Sequence, residues 1–294
     1  MEINPSKNKS GYEKISPTAW GVAYHRVLSD IKYAKEIFDQ LEKLQKTTDP
    51  IEIEYMERTK SSKITPQLEA RYMLINRLYN ENKTNQILEI ASGLSPRGLE
   101  MTDGDPSLTY IEVDIPSMAE CKRCLLEKLF KSNVINPRPN LYIENGDALD
   151  KESLMAVTER FKNEPITIIN EGLLRYMNFE QKAIVAKNVK VLLEKFCGFW
   201  ITSDITLARI LDQKDEDRIN RGMVKAMSGI DVDKNVFESV EAAVEFFESF
   251  GFTVEKHSFL EVINELVSPK KLDMSSKETK ELIEHPVVFV MKLK

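Results

Sequence analysis

The chain has 294 residues, 42% of them hydrophobic and 30% charged, which is the balance of a soluble globular protein with one large domain or two smaller ones. A formal net charge of −6 and a pI near 5.4 exclude an unaided grip on nucleic acid phosphates and fit a membrane surface poorly. No apolar run approaches the ~20 residues that cross a bilayer. The stretch Met1–Ser16 is polar and lacks the apolar core of a signal peptide, so a cytoplasmic location is expected. Cys121, Cys124 and Cys197 form no disulfide framework, and the Cys121–Cys124 pair falls inside a helical pattern with no histidine nearby, so no metal site is expected.

In chain order, Thr18–Leu44 carries an apolar stripe at helical spacing, ended by Thr47-Thr-Asp-Pro50. A second helix is expected over Pro66–Asn80. From Gln86 onward strands and helices alternate. Strand 86–91 leads to a short helix at 96–102, strand 109–113 to a helix at 116–131, and strand 140–144 to a helix near 151–162. Strand 166–170 leads to a helix at 178–195, where Asn178 and Gln181 stand at capping-box spacing, and strand 198–203 closes the series. Five strands separated by helices imply a parallel sheet with right-handed crossovers. Residues 205–238 read as an insertion, Ser239–Phe250 as an amphipathic helix closed by Gly251, and 252–259 and 286–293 as two last strands around a mixed segment. Without a clear crossover between them, those two strands are expected to pair antiparallel.

Chemistry in such a sheet sits beyond the carboxyl ends of the strands. There the sequence has one small-residue turn, Ala91-Ser-Gly93, followed by Ser95-Pro96 as a helix start, and four acids: Asp114, Asp147, Glu171 and Asp204. Asp114 lies 21 positions after Gly93, the spacing of a carboxylate that accepts hydrogen bonds from a ribose diol. A dinucleotide would want glycines near G-x-G-x-x-G, so that backbone can approach a pyrophosphate, and Ala91, Gly93 and Arg97-Gly98 match that poorly. S-adenosylmethionine has no phosphate, and its sulfonium suits an acidic rim. Its amino-acid end needs an ammonium acceptor and a carboxylate partner, for which Glu171 and Arg71 are the candidates.

Four segments, Glu89–Gly98, Tyr110–Pro116, Asn145–Leu149 and Asn170–Tyr176, resemble in order the cofactor motifs of the leucine carboxyl methyltransferase-like family, over roughly residues 66–205. That family comprises class I S-adenosylmethionine-dependent O-methyltransferases, including a polyketide-synthesis branch. The resemblance implies a Rossmann-like fold: a mostly parallel seven-stranded sheet with an antiparallel edge strand and helices on both faces. It also implies a helical cap over residues 1–82 and a cofactor-binding domain over 83–294. Gly93 and the turn at Ala91 would lie against the methionine part, with Arg71 on its carboxylate and Glu171 near its ammonium. Asp114 would bind the ribose, and Asp147 with Ala148 would flank the adenine. Glu89 and Ile115 complete the implied cofactor set. The chain departs from the family pattern at Ala91, where glycine is usual, and at Ser95, where aspartate is usual.

The expected function is methyl transfer to a hydroxyl or carboxylate of a small molecule. Protein C-terminal carboxyl methylation, nicotinamide-dependent oxidoreduction and a catalytically inactive binding role stand as alternatives. His25 and Tyr176 are the candidates for a catalytic group, and the N-terminal helices and the insertion, with Met223 and Met227, are expected to form the acceptor pocket.

Overall fold

The computed structural model of the protein describes residues 16–44, 47–208 and 215–294. The expected polar stretch before residue 16 and residues 209–214 of the 205–238 insertion lie outside the described residues.

Seven strands form one sheet in the order β3-β2-β1-β4-β5-β7-β6. They are β1 Gln86–Ile90, β2 Thr109–Asp114, β3 Leu141–Asn145, β4 Ile166–Asn170, β5 Gly198–Thr202, β6 Phe252–Ser258 and β7 Val287–Leu293. The first five pair parallel, while β7 pairs antiparallel with both β5 and β6. Successive strands step outward from β1 in one direction and from β4 in the other. The crevice between these two strands, at their carboxyl ends, is the topological switch point.

Alternation along each strand assigns its side chains to two layers. Leu88, Ile90, Ile168 and Trp200 face a core closed by α7 (Lys151–Val157), α8 (Phe179–Phe196) and the helix Val240–Glu248. Ile87, Tyr110, Ile169 and Ile201 face α4 (Thr65–Glu81), through Ala70, Leu74, Ile75 and Leu78. A third cluster joins α1 (Ser16–Leu28), α2 (Ala34–Leu44), α5 (Arg97–Met101) and α6 (Pro116–Lys131) beside it. Among the described residues no helix is long and apolar enough to cross a membrane.

Three local expectations change. The single helix expected over 18–44 is two, because Asp30 and Tyr33 take φ of 53° and 66° and turn the chain between α1 and α2. Thr47-Thr-Asp-Pro50 does not only end a helix; Asp49 caps the start of α3 (Pro50–Ser61), accepting from Ile51 N at 2.8 Å. The mixed segment before β7 holds a 3₁₀ stretch (Phe259–Glu265) and two short helices, Ser268–Lys271 and Ser276–Ile283. Phe259, Val262 and Ile283 of this segment pack with the α4 core, which lets β7 enter between β5 and β6.

Gly198, which opens β5, has φ of 108°, and a Cβ there would lie 1.9 Å from the carbonyl oxygen of Ile166 on β4. Backbone cannot yield within a paired sheet. Gly198→Ala is expected to lower stability by about 3 kcal/mol or more, read from urea unfolding.

Candidate active site

A cavity of about 360 Å³ occupies the switch point. Its floor is the turn after β1, its walls are the loops after β2, β3 and β4, and α1 covers it with Thr18, Ala19, Val22 and Arg26. Of the residues proposed from sequence to hold a cofactor, Arg71, Ala91, Gly93, Asp114, Ile115, Asp147, Ala148 and Glu171 all line it. Tyr176 does too.

The turn is built for close approach. Ala91 and Gly93 both have left-handed φ, 55° and 52°, and nothing lies within 4 Å of a Cβ placed on Gly93, so its open side is free. At Ala91 the same conformation costs a side chain roughly 1–2 kcal/mol, which explains why glycine would be the easier residue there. Asp114, at the end of β2, ties the turn to its neighbour: Gly93 N donates to one carboxylate oxygen at 2.7 Å and Ile115 N to the other at 2.8 Å. Each oxygen keeps capacity for one further donor. Burial raises the Asp114 carboxyl above its ordinary value, against the pull of those two amides. Asp147, at the outer rim after β3, is exposed and shapes its own loop by accepting from Leu149 N at 2.9 Å, while Ala148 beside it is buried.

The β4 side is cationic. Glu171 accepts from Arg26 Nη2 at 2.8 Å, Arg71 Nε at 3.0 Å and Arg97 Nη2 at 2.6 Å. Burial alone would raise its carboxyl, but Arg71, Arg26 and Arg97 hold it well below the usual carboxylate range. Oε1 is thus taken by Arg26 and Arg71, whereas Oε2, with Arg97 alone, keeps capacity for one further donor, so Glu171 is a partly occupied rather than a free acceptor for an ammonium group. Arg97 has no solvent exposure; it pairs with Glu89 as well as Glu171, donates to Asn76 Oδ1 at 2.8 Å and lies over the Tyr72 ring at 4.5 Å. Three guanidiniums against two carboxylates leave this wall with a surplus positive charge.

Two sequence candidates lie elsewhere. Glu89 does not line the cavity: on a strand, period-two alternation turns it to the α4 side, where Tyr110 Oη donates to it at 2.8 Å and Arg97 neutralises it. His25 does not line it either. It is buried against α4, with Nδ1 hydrogen-bonded to Thr65 Oγ1 at 2.8 Å, which corrects its candidacy as a catalytic base. Met223 and Met227 are buried outside the lining, and no described residue of the 205–238 insertion reaches the cavity. Among the described residues no group of three or more His, Cys, Asp or Glu is placed to hold a metal.

Sequence reasoning passed over Arg26, Arg97 and Arg175. Arg26 and Arg97 stood inside segments already singled out, but only three dimensions bring them to Glu171. Asp204, noted as one more acid at the strand edge, proves to organise the β4 loop. Its carboxylate accepts from Gly172 N (2.6 Å), Leu173 N (2.7 Å), Leu174 N (2.9 Å) and Asn170 Nδ2 (2.7 Å). Lys182 of α8 then anchors the loop's end, donating to Met177 O at 2.6 Å and Asn235 O at 2.7 Å, and burial lowers its ammonium to about 8.

Neither protein-family models nor curated proteins match this chain, so the motif resemblance rests on its residues. Solved structures do match. A DUF574 family protein from Streptomyces avermitilis has 15% identity and a TM-score of 0.57, over 85% of this chain and 93% of its own. A putative O-methyltransferase from Nostoc punctiforme has 14% identity and a TM-score of 0.49, over 99% of this chain and 76% of its own. A structure described as PigF with SAH has 13% identity and a TM-score of 0.48, and this chain spans 63% of it. The first likeness establishes the shared fold. With its strand order, this is the Rossmann-like architecture expected above, a mostly parallel seven-stranded sheet with helices on both faces.

Two outcomes follow from the buried charges. Arg97→Met leaves Glu89 and Glu171 short of a partner in a dry site, and is expected to cost about 3–5 kcal/mol in urea unfolding. Burial lowers the His25 imidazole to about 4 from 6.5. The unfolded chain then holds the extra proton between roughly pH 6.5 and 4, so stability falls as pH drops through that window. His25→Gln is expected to recover about 1–3 kcal/mol of that loss at pH 4, measured by urea titrations at pH 7 and pH 4.

Proposed function

We propose that the protein binds S-adenosyl-L-methionine and is an O-methyltransferase of small molecules, related to the leucine carboxyl methyltransferase-like family. The observation that carries this reading is the pairing of Asp114 with the Gly93 turn at the switch point. A carboxylate there, fixed by two amides with acceptor capacity left, suits a ribose diol. The unhindered face of Gly93 suits a ligand laid against the backbone. The surplus charge of the Arg26–Arg71–Arg97 wall suits a carboxylate, and Arg71, which lines the cavity and is already oriented by Glu171, is the residue to hold it. Asp147 and Ala148, beyond Asp114 on the β3 side, would flank the adenine.

When bound, S-adenosyl-L-methionine would supply an electrophilic methyl group, for transfer to an acceptor oxygen, with a neutral thioether as leaving group. The protein's share is alignment and exclusion of water. α1 does the second, since Thr18, Ala19, Val22 and Arg26 present one helical face to the cavity and Arg26 fastens that face to Glu171. A cavity of this size beneath a helix suits a small acceptor better than a polypeptide. The turn after β1 offers one open glycine, Gly93, where a pyrophosphate needs several along that turn, which disfavours a nicotinamide dinucleotide. The polyketide branch and the cytoplasmic location remain part of this proposal on sequence grounds.

Isothermal titration with S-adenosylhomocysteine tests it. Saturable one-to-one binding is expected, weakened by at least ~1 kcal/mol in Asp114→Ala, which removes a hydrogen-bond acceptor from the site. A folded protein that binds no S-adenosylhomocysteine, or an Asp114→Ala variant of undiminished affinity, overturns the reading.

A further inference from the structure

Along the sheet edge the cavity is electrically divided. On the β2 and β3 side stand Asp114 and Asp147; on the β4 side stand the arginines. Arg26, Arg71 and Arg97 share Glu171, but a fourth guanidinium, on the loop that carries Glu171, has only the face of the Tyr176 ring, 5.6 Å away, beside it and no carboxylate. Arg175 lines the cavity, half-buried, and its Nε is shielded from solvent without a hydrogen-bond partner. No described carboxylate forms an ion pair with it. A desolvated guanidinium donor left unpaired costs free energy that a ligand's anion would recover.

The position of Arg175 is not accidental slack. Three backbone amides locked on Asp204 fix the turn that carries it, and Tyr176 Oη donates to Thr18 Oγ1 at 3.2 Å, joining the turn to α1. The same lining offers apolar surface: Ala19 and Val22 from α1, Leu68 from α4, and Leu173 from the turn itself. Among the described residues the lining holds no histidine, lysine or cysteine; of its carboxylates, Glu171 is held by arginines, Asp114 serves the ribose in the reading above, and Asp147 stands at the exposed rim. A neutral alcohol would need a base there; an oxygen that is already an anion needs no proton removed.

We infer that Arg175 selects the methyl acceptor, and that this acceptor is a small organic acid bound as its anion, with an apolar body. The chemistry rests on the methyltransferase reading above, whereas the charge preference rests on Arg175 itself. The side chain is a specificity determinant: it fixes which molecule enters the cavity beside the cofactor and how its charged end is turned.

The test is isothermal titration of benzoate and octanoate, against benzamide and octanamide, into the protein saturated with S-adenosylhomocysteine. The acids are expected to bind at least about tenfold more tightly than their amides, the worth of one charge-assisted hydrogen bond. In Arg175→Met that preference should vanish, with amide affinity and S-adenosylhomocysteine affinity each held within about twofold. Arg175→Lys, which keeps the charge, should retain part of the preference and guards against a merely structural loss. Acids and amides binding alike, no acid binding at millimolar concentration, a preference that survives in Arg175→Met, or a loss of S-adenosylhomocysteine affinity in that variant each overturn the inference. A protein that binds no S-adenosylhomocysteine fails the methyltransferase reading alone. The same acid–amide comparison on the unliganded protein then still decides the role of Arg175.

Discussion

The site depends on one dry ion pair system, Arg97 set between Glu89 and Glu171. Glu89 is a strand residue whose alternation commits it to the α4 side of the sheet, where solvent is absent. A carboxylate there is tenable only with a cation beside it. Arg97 is that cation, and being at the start of α5, it pulls the helix down on the end of β1 and so sets the course of the Ala91–Gly93 turn. Its other arm reaches across the switch point to Glu171 at the end of β4. One side chain thus holds both lips of the crevice at a fixed separation. Next to it, Glu112 on β2, in register with Glu89, is paired with Lys122 of α6, which also donates to Ser95 O at 2.7 Å. The loop that forms the cavity floor is therefore seated on a layer of buried charge, where most sheets of this kind would have hydrocarbon.

This arrangement divides the labour among the acids at the strand ends. All four looked alike in the sequence, each a carboxylate within three residues of a strand's carboxyl end. Asp114 faces the cavity with acceptor capacity to spare. Asp147 shapes an exposed loop. Glu171 is held by three arginines, and Asp204 by three amides of the loop after β4 and the Asn170 side chain at the strand's end. Position along a strand made them visible, whereas their use depends on which cation or amide folding brings up, and those come from segments far away in the chain. Arg26 and Glu171 are separated by 145 residues.

The same division describes what could be read in advance. Short apolar runs between helical patterns marked the seven strands nearly to the residue, and the Gly93–Asp114 spacing pointed to the cavity, because both are local patterns. The break between α1 and α2 was hidden: no glycine or proline marks it, and Asp30 and Tyr33 carry the positive φ themselves. α3 escaped notice because Ile51 and Ile53 are exposed, which erases the apolar stripe, although Asp49-Pro50 was a legible start. Glu89 read as a site residue because it stands in the motif; only its burial partner shows that it acts one layer below. His25 had the right chemistry for a base, but a helix has several faces and its face is the one turned to Thr65.

The order of the last three strands bears on how the chain is made. β5 leaves the parallel sheet with an open edge, and the strand that covers it is not β6, the next to be synthesised, but β7. β6 has no place in the sheet until β7 lies between them. While the ribosome is still adding the segment from Phe259 to Pro286, the edge of β5, with Trp200 and Ile201 upon it, has no strand beside it, and the finished β6 has no partner. Unpaired strands of this kind are where growing chains join one another by mistake. The helices of that intervening segment pack on α4, so they hold the nascent chain close to the gap it has yet to fill.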